Sequence, residues 1–171
     1  RNENLPVLMI ANHISWWDGF WAMYLNLKVF HKKFYFMMLE DQLLKFRFFQ
    51  WTGGFSIKKK SREMIESLQY AARILDNPDN LLLIFPEGKL QSLYNSLHVF
   101  EKGIERIVQG HEDNFQLVFV AHFIDYLSHK KPDLYMYVSE YQGNVFSHSE
   151  LQEAYNVFYG NCLDIQKSKT E

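Results

Sequence analysis

The chain has little of what cross-links or punctuates a backbone. It holds one cysteine, Cys162, and four prolines in 171 residues. A lone thiol excludes an intrachain disulfide framework and fits a reducing compartment. No apolar run approaches the roughly 18 residues of a spanning helix, and no charged-then-apolar signal segment is visible. The sequence opens on Arg1 rather than Met, which leaves an upstream membrane segment open. Charge of one sign is also lacking. The formal net charge is −2, so no global basic field marks a nucleic-acid binder. Repeats, low-complexity stretches and linkers are absent.

What is present is apolar and aromatic: 47% hydrophobic residues, with 15 Phe, 10 Tyr and 4 Trp. That suits one domain over residues 1–171 with a sizeable core. Apolar runs predict strands at Leu5 to Ala11, Phe34 to Leu39, Phe55 to Ile57, Leu81 to Phe85, Gln116 to Phe123 and Leu134 to Val138. Helical spacing predicts helices at Asp18 to Asn26, Asp41 to Phe49, Ser61 to Leu75, Phe100 to Val108 and from Ser149 onward, with a polar tail about 163–171 that frays. Strands alternating with helices, some apolar throughout, imply an α/β fold with a largely parallel or mixed central sheet flanked by helices. Ligand crevices in such sheets lie off the carboxyl ends of strands.

Two segments follow strand ends and carry chemistry. In Asn12-His13-Ile14-Ser15-Trp16-Trp17-Asp18 a His precedes an Asp by five residues. A strand-to-helix turn can fold Asp18 onto one nitrogen of His13, leaving the other to take a proton. The competing reading makes Asp18 a helix cap and His13 a core polar residue. In Phe85-Pro86-Glu87-Gly88-Lys89, Pro86 ends the strand and Gly88 admits a close backbone approach. There Glu87 can bind an acceptor hydroxyl and Lys89 an anion; an ordinary Pro-Gly turn is the competing reading.

Asn12 to Asp18 resembles the N-H-x-S-x-x-D motif of the glycerophospholipid acyltransferase family, of the lysophosphatidic acid acyltransferase type. Phe85-Pro86-Glu87-Gly88 resembles its F-P-E-G motif, and Gly53 to Lys59 is similar to its intermediate motif. The resemblance spans about Leu5 to Tyr126. It implies transfer of a fatty acyl group from acyl-CoA or acyl-carrier protein to a hydroxyl of a lysophospholipid-like or other lipid acceptor. It makes His13 the base, Asp18 its orienting carboxylate, and Glu87 and Gly88 acceptor-binding, with Asn12, Ser15, Phe85 and Pro86 supporting. It implies no metal and no tightly bound cofactor. Ser15 lacks the G-x-S-x-G elbow of a nucleophile.

The family's F-P-E-G commonly continues T-R-S, whereas this chain reads Lys89-Leu90-Gln91, and Lys59 replaces the Arg of the intermediate motif. Lys58, Lys59 and Lys89 are left as the candidate phosphate cations, which Lys serves only as a point charge. A thioesterase, or a non-catalytic acyl-CoA or lipid binder, is the alternative function.

Trp16 and Trp17 beside the proposed base, and Phe48, Phe49 and Trp51 around Arg47, read as peripheral membrane contacts at the cytoplasmic face. A packed aromatic core is the rival explanation. His111-Glu112-Asp113 and His31-Lys32-Lys33 read as solvated turns, and His122 near Asp125 as a satisfied core His. Ser92, Ser96 and His98 suggest a hydrolase that no elbow supports.

Overall fold

β1 (Val7–Ala11) is apolar and fully buried at every position, as a central parallel strand requires. The computed structural model describes residues 4–58, 63–111 and 114–170. In it β1 pairs in parallel with β4 (Asn80–Ile84) on one side and β5 (Gln116–Asp125) on the other. β2 (Lys33–Leu39) lies beyond β4, and β3 (Gly54–Ile57) beyond β2, both parallel. β6 (Asp133–Glu140) closes the opposite edge antiparallel to β5. The order is β3-β2-β4-β1-β5-β6, a six-stranded mixed sheet in a single-domain α/β fold.

The period of two along β1 sorts its side chains between two cores. Val7, Met9 and Ala11 pack against Ala22 and Leu25 of α1 (Asp18–Leu25). Leu8 and Ile10 face α3 (Glu63–Ile74), α4 (Ile104–Val108) and α5 (His148–Lys167) on the other side. Burying each large apolar side chain here contributes about 1.5–3 kcal/mol. α2 (Glu40–Lys45) follows β2 directly. No helix among the described residues is long and apolar enough to cross a membrane.

Several boundaries differ from the sequence expectation for identifiable reasons. The helix expected over Asp41 to Phe49 is broken at Phe46, whose φ of −120° and ψ of 63° are not helical. A 3₁₀ segment, Arg47–Thr52, follows. α4 starts at Ile104, not at Phe100, because Gly103 sits at φ 125° and the N–H groups of Phe100 and Glu101 bond elsewhere. α1 continues through a π turn, Asn26–Phe30, into His31 at φ 57°. The next turn is not merely solvated, since the Asn26 amide bonds both the N–H and the C=O of Lys32, and Lys33 begins β2. α5 runs through Lys167 with Gln166 buried, so most of the segment expected to fray is helix. The Ser61 cap lies outside the described residues.

Gly53 ends the 3₁₀ segment at φ 96°, and a Cβ there would lie 2.0 Å from the Phe34 carbonyl oxygen. Both the conformation and the contact exclude a side chain. Gly53→Ala therefore lowers stability by at least about 2 kcal/mol. The check is urea unfolding; a variant whose unfolding free energy lies within about 0.5 kcal/mol of wild type contradicts the argument.

Candidate active site

β1 and β4 are adjacent and parallel, so the chain leaves both at the same edge of the sheet. That places His13 and Glu87, 74 positions apart, in direct contact: the His13 backbone N–H donates to Glu87 Oε2 at 2.9 Å. Below them Asn12 joins β1 to β5. Its side chain accepts from the His122 N–H at 2.7 Å and donates to the His122 carbonyl at 3.0 Å, carrying the ladder one step past its last strand pair.

Asp18 opens α1 and is fully buried. One of its oxygens, Oδ2, accepts three hydrogen bonds: from the Ile14 N–H at 2.7 Å, the Ser15 N–H at 2.9 Å and His13 Nδ1 at 2.8 Å. It thus bonds back onto the turn that precedes it, which a simple helix cap does not do. The carboxylate can only accept, so Nδ1 is the donor, and in the neutral ring Nε2 keeps the lone pair. The His13 ring stacks on Phe85, with centroids 4.2 Å apart and planes 13° apart. It is 25% exposed and no described residue bonds its Nε2. A ring so held can accept a proton at Nε2 and return it. The Ser15 hydroxyl accepts the Trp17 N–H, so it shapes the turn.

His13 lies on the wall of a cavity of about 380 Å³. Phe36, Met38, Ile57, Ile84 and Ile107 make its interior mostly apolar, and Gly88, Lys89, Leu90, Glu101 and Lys102 lie on the side of the loop after β4. Trp16 and Phe49 also line it and pack together at 6.1 Å, with Phe20 between the two groups. The two aromatic clusters, separate in sequence, therefore form one wall. Trp16, Trp17 and Phe48 are about half exposed and Trp51 is 93% exposed. Phe49 is not an exposed contact: it is half-buried, edge-on to Phe36 and against Phe48.

Other candidates fall elsewhere. Glu87 does not line the cavity. It is buried, with Oε2 on His13 and Oε1 on His98 Nδ1, so it clamps the loop instead of presenting an oxygen to an acceptor. Its position follows from the tight Pro86-Glu87-Gly88 turn, in which the Gly88 N–H returns to the Phe85 carbonyl. Lys58 is drawn to Glu40 and Glu63, each at 3.6 Å, which hold its amine above the ordinary range, and it is not on the cavity wall. Lys59 lies outside the described residues, as do Glu112 and Asp113; His111 pairs with Asp76 at 2.8 Å. Among the described residues no three ligand-type side chains converge on a metal position. His98 turns its ring to Glu87, not to Ser92, whose hydroxyl accepts the Tyr94 N–H. Cys162 is no nucleophile, since burial pushes its thiol up to about 11.

Sequence reasoning missed the place of two histidines. His98 stood beside serines with no elbow, and only the fold brings it to Glu87. His122 is buried but not satisfied: neither ring nitrogen has a hydrogen-bond partner among the described residues. Its Nδ1 lies 3.9 Å from Asp18 Oδ1, and Trp21 meets the ring edge-on. Asp125, its expected neighbour, is instead held by the Gln166 amide.

Burial pushes the His122 pKa down to about 4; Asp18 pulls it back up and His13 opposes that. The unfolded imidazole protonates near 6.5. Between those values the unfolded state binds the extra proton, so stability is full above pH 6.5 and falls as pH drops toward 4. The contribution is of order 3 kcal/mol. His122→Phe removes most of this slope, seen as a flatter urea midpoint across that window; an unchanged slope contradicts it.

The family model described as Acyltransferase matches residues 1–124, a span from β1 to near the end of β5. No individual curated protein matches the chain. The match covers well over half the sequence and contains both loops that meet at His13, so the chain belongs to the acyltransferase family and its general reaction is acyl transfer.

Proposed function

We propose that the protein moves a fatty acyl group from the thioester of acyl-CoA or acyl-carrier protein to a hydroxyl of a lysophospholipid-like or other lipid acceptor. The observation that carries this reading is the His13 ring, tied to the buried Asp18 at Nδ1 with Nε2 unbonded on the wall of an apolar cavity.

His13 Nε2 takes the acceptor hydroxyl proton while the oxygen attacks the thioester carbonyl. The C–O bond forms, the C–S bond breaks, and the departing thiolate regains the proton from the imidazolium. Asp18 stabilises that imidazolium and keeps the ring in one tautomer. The apolar interior suits an acyl chain, excluding the water that would otherwise hydrolyse the ester. Among the described residues Lys89 and Lys102 are the Lys or Arg side chains on the cavity wall and suit an anionic head group, with Glu101 beside them. The exposed Trp17, Phe48 and Trp51, with Lys45 and Arg47 nearby, suit peripheral contact with a lipid surface. Phospholipid synthesis is the setting this chemistry fits.

His13→Ala lowers acceptor-dependent thiol release by about 100- to 10,000-fold, and Asp18→Asn falls in the same range. A His13→Ala protein with wild-type turnover removes the base. Equal thiol release with and without acceptor identifies a thioesterase instead.

Changing Trp17, Phe48 and Trp51 together to Ser reduces co-sedimentation with vesicles of mixed zwitterionic and anionic phospholipid by about ten-fold or more. These side chains are exposed, so the thermal midpoint stays near wild type. Undiminished vesicle binding excludes this surface as the membrane contact.

A further inference from the structure

Glu87 is buried, like Asp18, and its two oxygens serve different partners. Oε2 holds the His13 peptide N–H; Oε1 meets His98 Nδ1. The His98 ring is itself buried and boxed edge-on by Tyr155 and Tyr159, with centroids 5.5 and 4.1 Å away. Burial pushes the Tyr159 hydroxyl up to about 12, with the Glu87 charge adding to it.

The backbone around His98 is gripped by α5. The His98 N–H donates to Asn156 Oδ1 at 2.7 Å, and Asn156 Nδ2 donates to the His98 carbonyl at 2.9 Å. The Phe100 N–H donates to Gln152 at 2.8 Å, and the His148 ring reaches the Phe100 carbonyl at 3.0 Å. Residues 148, 152 and 156 are four apart, so they line one face of the helix. They hold segment 98–100 as a neighbouring strand would. None of the three lies within the residues that the family model covers.

We propose that His98 is a positioning residue for the base. It fixes the side chain of Glu87, Glu87 fixes the His13 peptide, and α5 presents His98 through Asn156. Without the ring, the buried Glu87 Oε1 has no hydrogen-bond donor among the described residues. The carboxylate then turns toward another donor, and its hold on the His13 N–H weakens. Displacement of a reacting group by about 1 Å is enough to cost up to 100-fold in rate. This role rests on the reading of His13 as the base.

The test uses the full chain, palmitoyl-CoA as donor and a lysophosphatidic acid as acceptor, with ring ¹⁵N spectra of the labelled protein as a readout that needs no substrate. His98→Leu lowers kcat at least about ten-fold while KM for palmitoyl-CoA stays within about three-fold. His98→Asn returns an amide donor near the place of Nδ1 and recovers kcat to within about three-fold of wild type. Asn156→Ala falls between the two. The His13 Nδ1–H signal, held by Asp18 in the wild type, broadens in His98→Leu and sharpens again in His98→Asn. Ile74→Ala, a core truncation in α3 away from both loops, loses a similar amount of Tm and keeps kcat. A normal kcat and a normal His13 signal in His98→Leu overturn the proposal, as does an equal loss of kcat in Ile74→Ala. His13→Ala runs alongside. If it is inactive while His98→Leu is normal, only the role of His98 falls; if it is fully active, the base reading fails and the positioning role falls with it.

Discussion

Three donors on one oxygen of Asp18 hold the site together. The Ile14 and Ser15 N–H groups and the His13 ring all meet Oδ2, so the strand-to-helix turn and the ring orientation are set by one group. The same carboxylate begins α1, where the helix dipole favours negative charge. The turn cannot relax without releasing the ring, and the ring cannot swing without costing the turn a bond. Full burial of Asp18 removes competing water from the arrangement.

A second buried carboxylate works from the other side. Glu87 reaches the His13 peptide from the loop after β4, which is possible only because β1 and β4 are parallel neighbours. His13 is therefore fixed at its ring by one acid and at its backbone by another, each delivered by a different segment. Asn12 adds a third tie to β5. The site is rigid because its supports come from the sheet and not from the loops alone.

The sequence made the strands legible wherever burial was complete. β1, and β4 after its leading Asn80, are uninterrupted apolar runs, and their positions follow from composition. The contact of His13 with Asp18 was legible too, since five residues across a turn are local. The partners of Glu87 were not. Nothing in the spacing of Phe85-Pro86-Glu87-Gly88 says that both oxygens are consumed by the protein, because His98 arrives through an excursion whose course is set by α5. The break at Phe46 and the late start of α4 were equally hidden: each depends on backbone groups that bond to distant residues. Aromatic content could not separate core from surface, and Phe49 and Trp51, two positions apart, divide between them.

The excursion that carries His98 is closed at its base, where the Glu101 N–H meets the Pro86 carbonyl at 2.8 Å. Its far portion, residues 92–97, is exposed throughout, with Tyr94 at 94%. Lengthening a segment whose ends are already pinned costs little, about 0.6 kcal/mol for each doubling. Descendants of this scaffold can therefore trade that tip for a longer or shorter one and reshape what approaches the cavity mouth, while the apparatus beneath keeps its geometry.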